Sequence, residues 1–120
     1  MLARFSFGAL AIYAPVETVY SWAGGLGSPY YIIDVIAIAL ILAGALRSLR
    51  LRPAAAPGLL TAGWAWAASN FWRAAFDRIT RVEGGGHLGL GSLELRFVFG
   101  ELAVALVCMA VGLVLVIRAR

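Results

Sequence analysis

The chain has 120 residues, of which 62% are hydrophobic and only 13% charged, against roughly 25% charged in an ordinary soluble domain. That balance excludes water as the main solvent, and residues 1–120 hold one domain of four spans of about 20 residues each, with no room for a separate soluble unit. The net charge of +4 rests on ten basic residues, all arginine, and no basic run is interleaved with aromatics, which excludes nucleic acid as the expected partner and leaves membrane topology to explain them.

The first span is predicted over about residues 5–22, from Phe5 to Trp22, and stops at Ala23-Gly24-Gly25-Leu26-Gly27, a run no helix favours. Tyr13, Glu17 and Tyr20 share one face of it. Pro15 removes the amide that would bond the Ala11 carbonyl, so a kink or loosened turn is expected beside Glu17. The segment lacks a clear cleavage site and carries Glu17, and it reads as a retained helix instead of a signal peptide.

Ser28 and Pro29 have the pattern of an N-cap and first helical position, opening a second span over about residues 30–46 that Arg47, Arg50, Arg52 and Pro53 close. The third span, about residues 57–76, carries Leu59, Leu60, Trp64, Trp66, Phe71 and Trp72. Its Trp66, Asn70, Arg73 and Asp77 follow an i, i+4, i+7, i+11 spacing and share a face. The glycine-rich stretch from Glu83 to Ser92 lacks the Lys-Ser/Thr ending and strand-to-helix setting of a phosphate loop, and is expected to be a flexible outer loop. The fourth span, about residues 97–117, ends at Arg118 and Arg120. Glu101, Ala105, Cys108 and Gly112 form a strip of small residues along it, and Asp34, Ala37, Ile41 and Gly44 or Ala45 do the same in the second span, each marking a face that packs on a neighbouring helix.

The fold class is therefore all-α, an integral membrane four-helix bundle. Arg4, the Arg47/Arg50/Arg52 cluster and Arg118/Arg120 fall on one side, which the positive-inside rule makes cytoplasmic, so both termini are expected inside. The expected location is a bacterial inner (cytoplasmic) membrane, with the lipid bilayer as the first partner and a homo-oligomer or larger membrane complex as further ones. Trp22, Tyr30, Tyr31 and Trp72 fall where an interfacial aromatic belt belongs, while Trp64 and Trp66 lie deeper and either line a cavity or fill a core.

On this topology Glu17, Asp34 and Glu101 reach one depth, each roughly 6 to 8 Å below the outer boundary at 1.5 Å per residue. Carboxylates inside a span are costly and mark functional sites by default, although a bridge from Arg73 to Asp34 or Glu101 that only locks helix register is a strong structural alternative. Arg73 is the natural partner, but three carboxylates face one securely intramembrane arginine. Either Arg96 or Arg78 completes the network, or one acid holds a proton, with Glu17 the candidate. The candidate catalytic residues are thus Glu17, Asp34 and Glu101, and the candidate ligand-binding residues are Tyr13, Tyr20, Trp66, Asn70, Arg73 and Asp77. His87 is the only histidine and Cys108 the only cysteine, so no metal site and no haem or other cofactor is expected, and no intrachain disulfide can form.

In length, four-span layout and the acid Glu17 in its first helix, the chain resembles the small multidrug resistance exporters, a likeness that implies proton exchange at Glu17 for a cationic drug. It departs from that pattern in its off-centre acids, the arginine beside them and a third span without the family's glycine-rich aromatic run. The expected function is binding of a lipophilic or small polar ligand at this carboxylate, arginine and aromatic site near the outer leaflet. Acid/base isomerisation or cyclisation is the natural chemistry there, since it relocates a proton without a cofactor. An accessory or scaffolding subunit of a membrane complex and a proton-coupled transporter are the alternatives.

Overall fold

The computed structural model describes residues 1–24, 29–50, 57–83 and 93–119, with side chains left undescribed at 20–24, 29–30, 78, 81–83 and 93–94. The Tyr20 side chain, the Ser28 cap and the glycine-rich stretch 84–92 therefore lie outside the described residues. Four helices and no strand are present among those described: α1 (Leu2–Gly24), α2 (Pro29–Arg50), α3 (Pro57–Glu83) and α4 (Leu93–Arg118). Helices α1 and α4 run past the predicted spans at both ends, α2 mainly and α3 only at the C-terminal end. Pro29 and Pro57 open α2 and α3 at the position where a missing amide costs nothing, and Arg47, Arg50 and Arg118 occupy last turns, where a cation complements the helix dipole.

Pro15 is accommodated without ending α1, which runs continuously past it. Nearby, the Thr18 hydroxyl donates to the Ala14 carbonyl at 2.7 Å. Such back-bonding accompanies local bending in helices.

Pairings across the interfaces fix the topology. Asp34 meets Asn70, Ile41 lies against Gly63 and Gly44 against Leu60, so α2 and α3 are antiparallel. Ser6 meets Trp64 and Tyr13 meets Phe71, so α1 and α3 run the same way. The result is an up-down-up-down arrangement. Helix α3 packs along both α2 and α4, α1 packs along α2, and α1 scarcely touches α4. The bundle is a ring left open on one side.

Small residues make the closest contacts. Ala37, Ala45, Ala67 and Ala105 have no exposed surface, and the strips read from the sequence on α2 (Ala37, Ile41, Gly44, Ala45) and α4 (Ala105, Cys108, Gly112) are the buried faces of those helices. A Cβ at Gly63 would stand 2.9 Å from the Ile41 amide nitrogen, and one at Gly44 2.8 Å from that of Leu60, so the two backbones nearly touch. The outward faces carry the large residues: Ile12, Val19, Ile32, Val107, Leu113 and Ile117 are each more than half exposed. Two segments, Tyr31–Arg50 in α2 and Leu95–Arg118 in α4, are long and apolar enough to cross a membrane. Helix α3 interrupts its apolar face with Ser69, Asn70, Arg73 and Asp77, and α1 carries Arg4, Glu17 and Thr18.

Candidate functional site

Polar groups from all four helices converge on Tyr13. Its ring, half-buried on α1, stands edge-on to Phe71 of α3 with centroids 5.4 Å apart and planes at 75°, a favourable aromatic geometry that holds the phenol in place. The hydroxyl donates to Asp34 Oδ1 on α2 over 3.4 Å, a long bond, and Asn70 Nδ2 on α3 donates to the same oxygen at 2.5 Å. Glu17, one turn beyond Tyr13 on α1, lies close enough to act on both Asp34 and the Tyr13 hydroxyl.

Glu101 arrives from α4, half-buried, and its charge acts on the Tyr13 hydroxyl together with those of Asp34 and Glu17. The charges of the three acids that the sequence places at one depth thus all bear on one phenol. Arg73 acts electrostatically on Asp34, but from an exposed position at the rim of the cluster rather than from inside it. Asp77 is exposed one turn further along α3. Trp66, also exposed, donates from Nε1 to the Ile33 carbonyl at 3.2 Å, which ties α3 to α2 beside Asp34. The Trp66, Asn70, Arg73 and Asp77 stripe is therefore turned toward α2 at Trp66 and Asn70 and emerges from the bundle at Arg73 and Asp77.

The open side of the ring forms the second half of the site. A groove of about 740 Å³ lies between α1 and α4 with α3 as its floor, within the size range of small-molecule pockets. Phe5, Leu10, Ile12, Trp64, Phe71 and Val104 make its walls apolar, and Tyr13, Arg96 and Glu101 supply its polar groups. Gly8 and Gly100 line it from opposite helices, and a Cβ on either would meet no atom within 4 Å. At the floor, Trp64 Nε1 donates to the fully buried Ser6 hydroxyl at 2.9 Å, which holds the indole flat between α1 and α3 and leaves no buried side-chain polar atom unpaired among the described residues.

The sequence singled out the carboxylates, Tyr13 and Asn70, but not the groove. Its walls come from Phe5, Gly8, Phe97, Gly100 and Val104, none with chemistry of its own, and from Arg96, which the sequence offered only as a partner for the acids. The available signal was the pair Gly8 and Gly100, glycines inside helical runs where alanine would favour the helix. No known protein family, curated protein or solved structure matches this chain, so the reading of the site rests on its geometry.

Proposed function

We propose that this chain is an integral four-helix membrane protein that takes a lipophilic molecule into the α1/α4 groove and performs acid/base chemistry on it through Tyr13 and the Glu17–Asp34 pair. The membrane reading is supported by the inverted distribution of residue sizes. Small side chains make the closest helix contacts, with a few large ones such as Trp64 and Phe71 between them, and large aliphatic ones cover the outside, the pattern of helices packed in lipid, whereas in water the same surface would be an extended exposed apolar patch. With Arg4, Arg47, Arg50 and Arg118 on the cytoplasmic side, the carboxylates lie in the outer half of the bundle.

The observation that carries the ligand reading is that Tyr13 belongs to both halves of the site. Its ring lines the groove while its hydroxyl reaches Asp34, beside which Glu17 lies. A hydrogen bond therefore connects an apolar pocket with a pair of neighbouring carboxyls, and the proposed chemistry needs a proton on one of them. With that proton, the path through Asp34 and Tyr13 can protonate one atom of a bound molecule while Glu101, on the facing helix, withdraws a proton from another, and return of that proton from Glu101 to the pair completes the cycle. The net change is an isomerisation or cyclisation, which balances without oxidant, reductant or cofactor.

Filling the groove tests this. Gly100→Leu and Gly8→Leu place side chains into open space, so both should fold normally while losing any lipophilic molecule that co-purifies with the wild type, read by mass spectrometry of organic extracts. A wild-type protein that carries no such molecule, or variants that retain it undiminished, would overturn the ligand reading.

A further inference from the structure

The bundle has a second cavity at the opposite end, with opposite chemistry. The inner ends of all four helices meet around a space of about 470 Å³ lined by Arg4 of α1, Ser48 and Leu49 of α2, Leu60 of α3, and Leu115 and Arg118 of α4. Arg4 and Arg118 are exposed, as are Arg47 and Arg50 on the same end of α2. Every acid of the chain lies elsewhere: Glu17, Asp34, Asp77, Glu83, Glu94 and Glu101 all belong to the outer halves of their helices or the turns beyond, and none falls in residues 1–16, 35–76 or 102–120. Among the described residues, the inner mouth therefore carries cations with no acidic side chain at that end of the bundle. Two of them border a cavity whose other walls are mostly apolar, with Leu2, Leu49, Leu60 and Leu115 the largest of them.

We propose that this inner mouth is a binding site for an anionic phospholipid, with the phosphate between Arg4 and Arg118 and the acyl chains running outward over Leu2, Leu49 and Leu115. Each part of the ligand has its counterpart. Guanidinium groups are the side chains best matched to phosphate oxygens, and the Ser48 hydroxyl can add a donor. Basic pockets between helices on the cytoplasmic side are where anionic headgroups are held. The leucine walls distinguish a lipid from free phosphate, which would gain nothing from them. The inference rests on the membrane reading above but not on the groove or its chemistry.

Thermal stability of the purified protein in neutral detergent provides the test, with phosphatidylglycerol, phosphatidylcholine of the same acyl chains, and inorganic phosphate as separate probes. Phosphatidylglycerol should raise the melting temperature, while phosphatidylcholine and inorganic phosphate should leave it nearly unchanged. The double variant R4Q/R118Q should weaken the apparent affinity for phosphatidylglycerol at least about tenfold more than R47Q/R50Q, because both pairs lose the same surface attraction but only the first loses charge-assisted bonds to the phosphate. R4K/R118K keeps the charge and should retain most of the shift. Equal loss in the two glutamine pairs would mean diffuse attraction to a basic surface and would overturn the proposal. A shift with inorganic phosphate as large as that with phosphatidylglycerol would overturn the lipid assignment. Recovery of the chain in an aqueous supernatant without detergent would overturn the membrane reading and this inference together, whereas a detergent-requiring protein indifferent to headgroup charge would overturn this inference alone.

Discussion

At the scale of single residues, the bond between Trp64 and Ser6 ties the floor of the groove to α1. Ser6 is buried with its hydroxyl accepting from Trp64, so Ser6→Ala strands an indole N–H in an apolar floor. The expected cost is about 1 to 2 kcal/mol, an unsatisfied buried donor being penalised more than the bond itself contributes. Trp64→Phe on the Ser6→Ala background removes the stranded donor, so the double variant should be less destabilised than the sum of the two single changes, as read from melting temperatures in detergent. The proposed chemistry is tested with the proton on Glu17: glutamine there keeps a hydrogen-bond donor beside Asp34 but has no transferable proton, so Glu17→Gln should leave the melting temperature almost unchanged while removing the infrared carbonyl band of a protonated carboxyl. A large loss of stability in Glu17→Gln would mean that Glu17 is an ionised structural partner, and the proton path would lose its basis.

At the scale of the elements, the contact between α2 and α3 is set by glycines rather than by large side chains. Gly63→Ala would bring a Cβ to 2.9 Å from a backbone atom of Ile41, so the helices must move apart, at a cost of about 1 to 3 kcal/mol. Gly100→Ala points into open space and should be neutral or mildly stabilising through helix propensity, by up to about 1 kcal/mol. Opposite signs for these two chemically identical changes would verify the packing, with thermal unfolding in detergent as the measurement. The strips of small residues that produce the packing were legible in the sequence on α2 and α4, because i, i+3 and i+4 spacing of Ala, Gly and Cys has few other meanings. The helix ends were less so: apolar runs mark hydrocarbon, whereas α3 continues to Glu83 through Arg73 and Asp77, since a helix does not stop where polarity begins. The coming together of Asp34, Glu17 and Tyr13 followed from equal depth and helical faces. The exposed position of Arg73 did not follow, because charge complementarity says which groups attract, not which side of a helix reaches solvent. The gap between α1 and α4 was hardly legible, since it depends on how far the ring closes, and Gly8 and Gly100 signal only that two helix positions there carry no side chain.

At the scale of the whole molecule, charge is separated along the bundle axis: the acids gather in the halves of the helices toward one end and the arginines of α1, α2 and α4 at the other, apart from Arg96 near the start of α4. In a bilayer that polarity selects one orientation, with the acid-free arginine end in the cytoplasm. Single cysteines placed on a Cys108→Ala background report it directly. Thr80 is exposed near the acidic end of α3 and Ala119 lies just beyond the basic end of α4. A membrane-impermeant maleimide added to intact cells should label Thr80→Cys and spare Ala119→Cys until the membrane is broken. Because positive charge at the inner ends is what fixes the orientation, replacing Arg4, Arg47, Arg50 and Arg118 together with glutamine should erase the difference, giving mixed labelling at both positions. Labelling of Ala119→Cys in intact cells with the arginines in place would invert the bundle. The Tyr13 cluster would then face the cytoplasm, and the anionic-lipid pocket would lie in the outer leaflet.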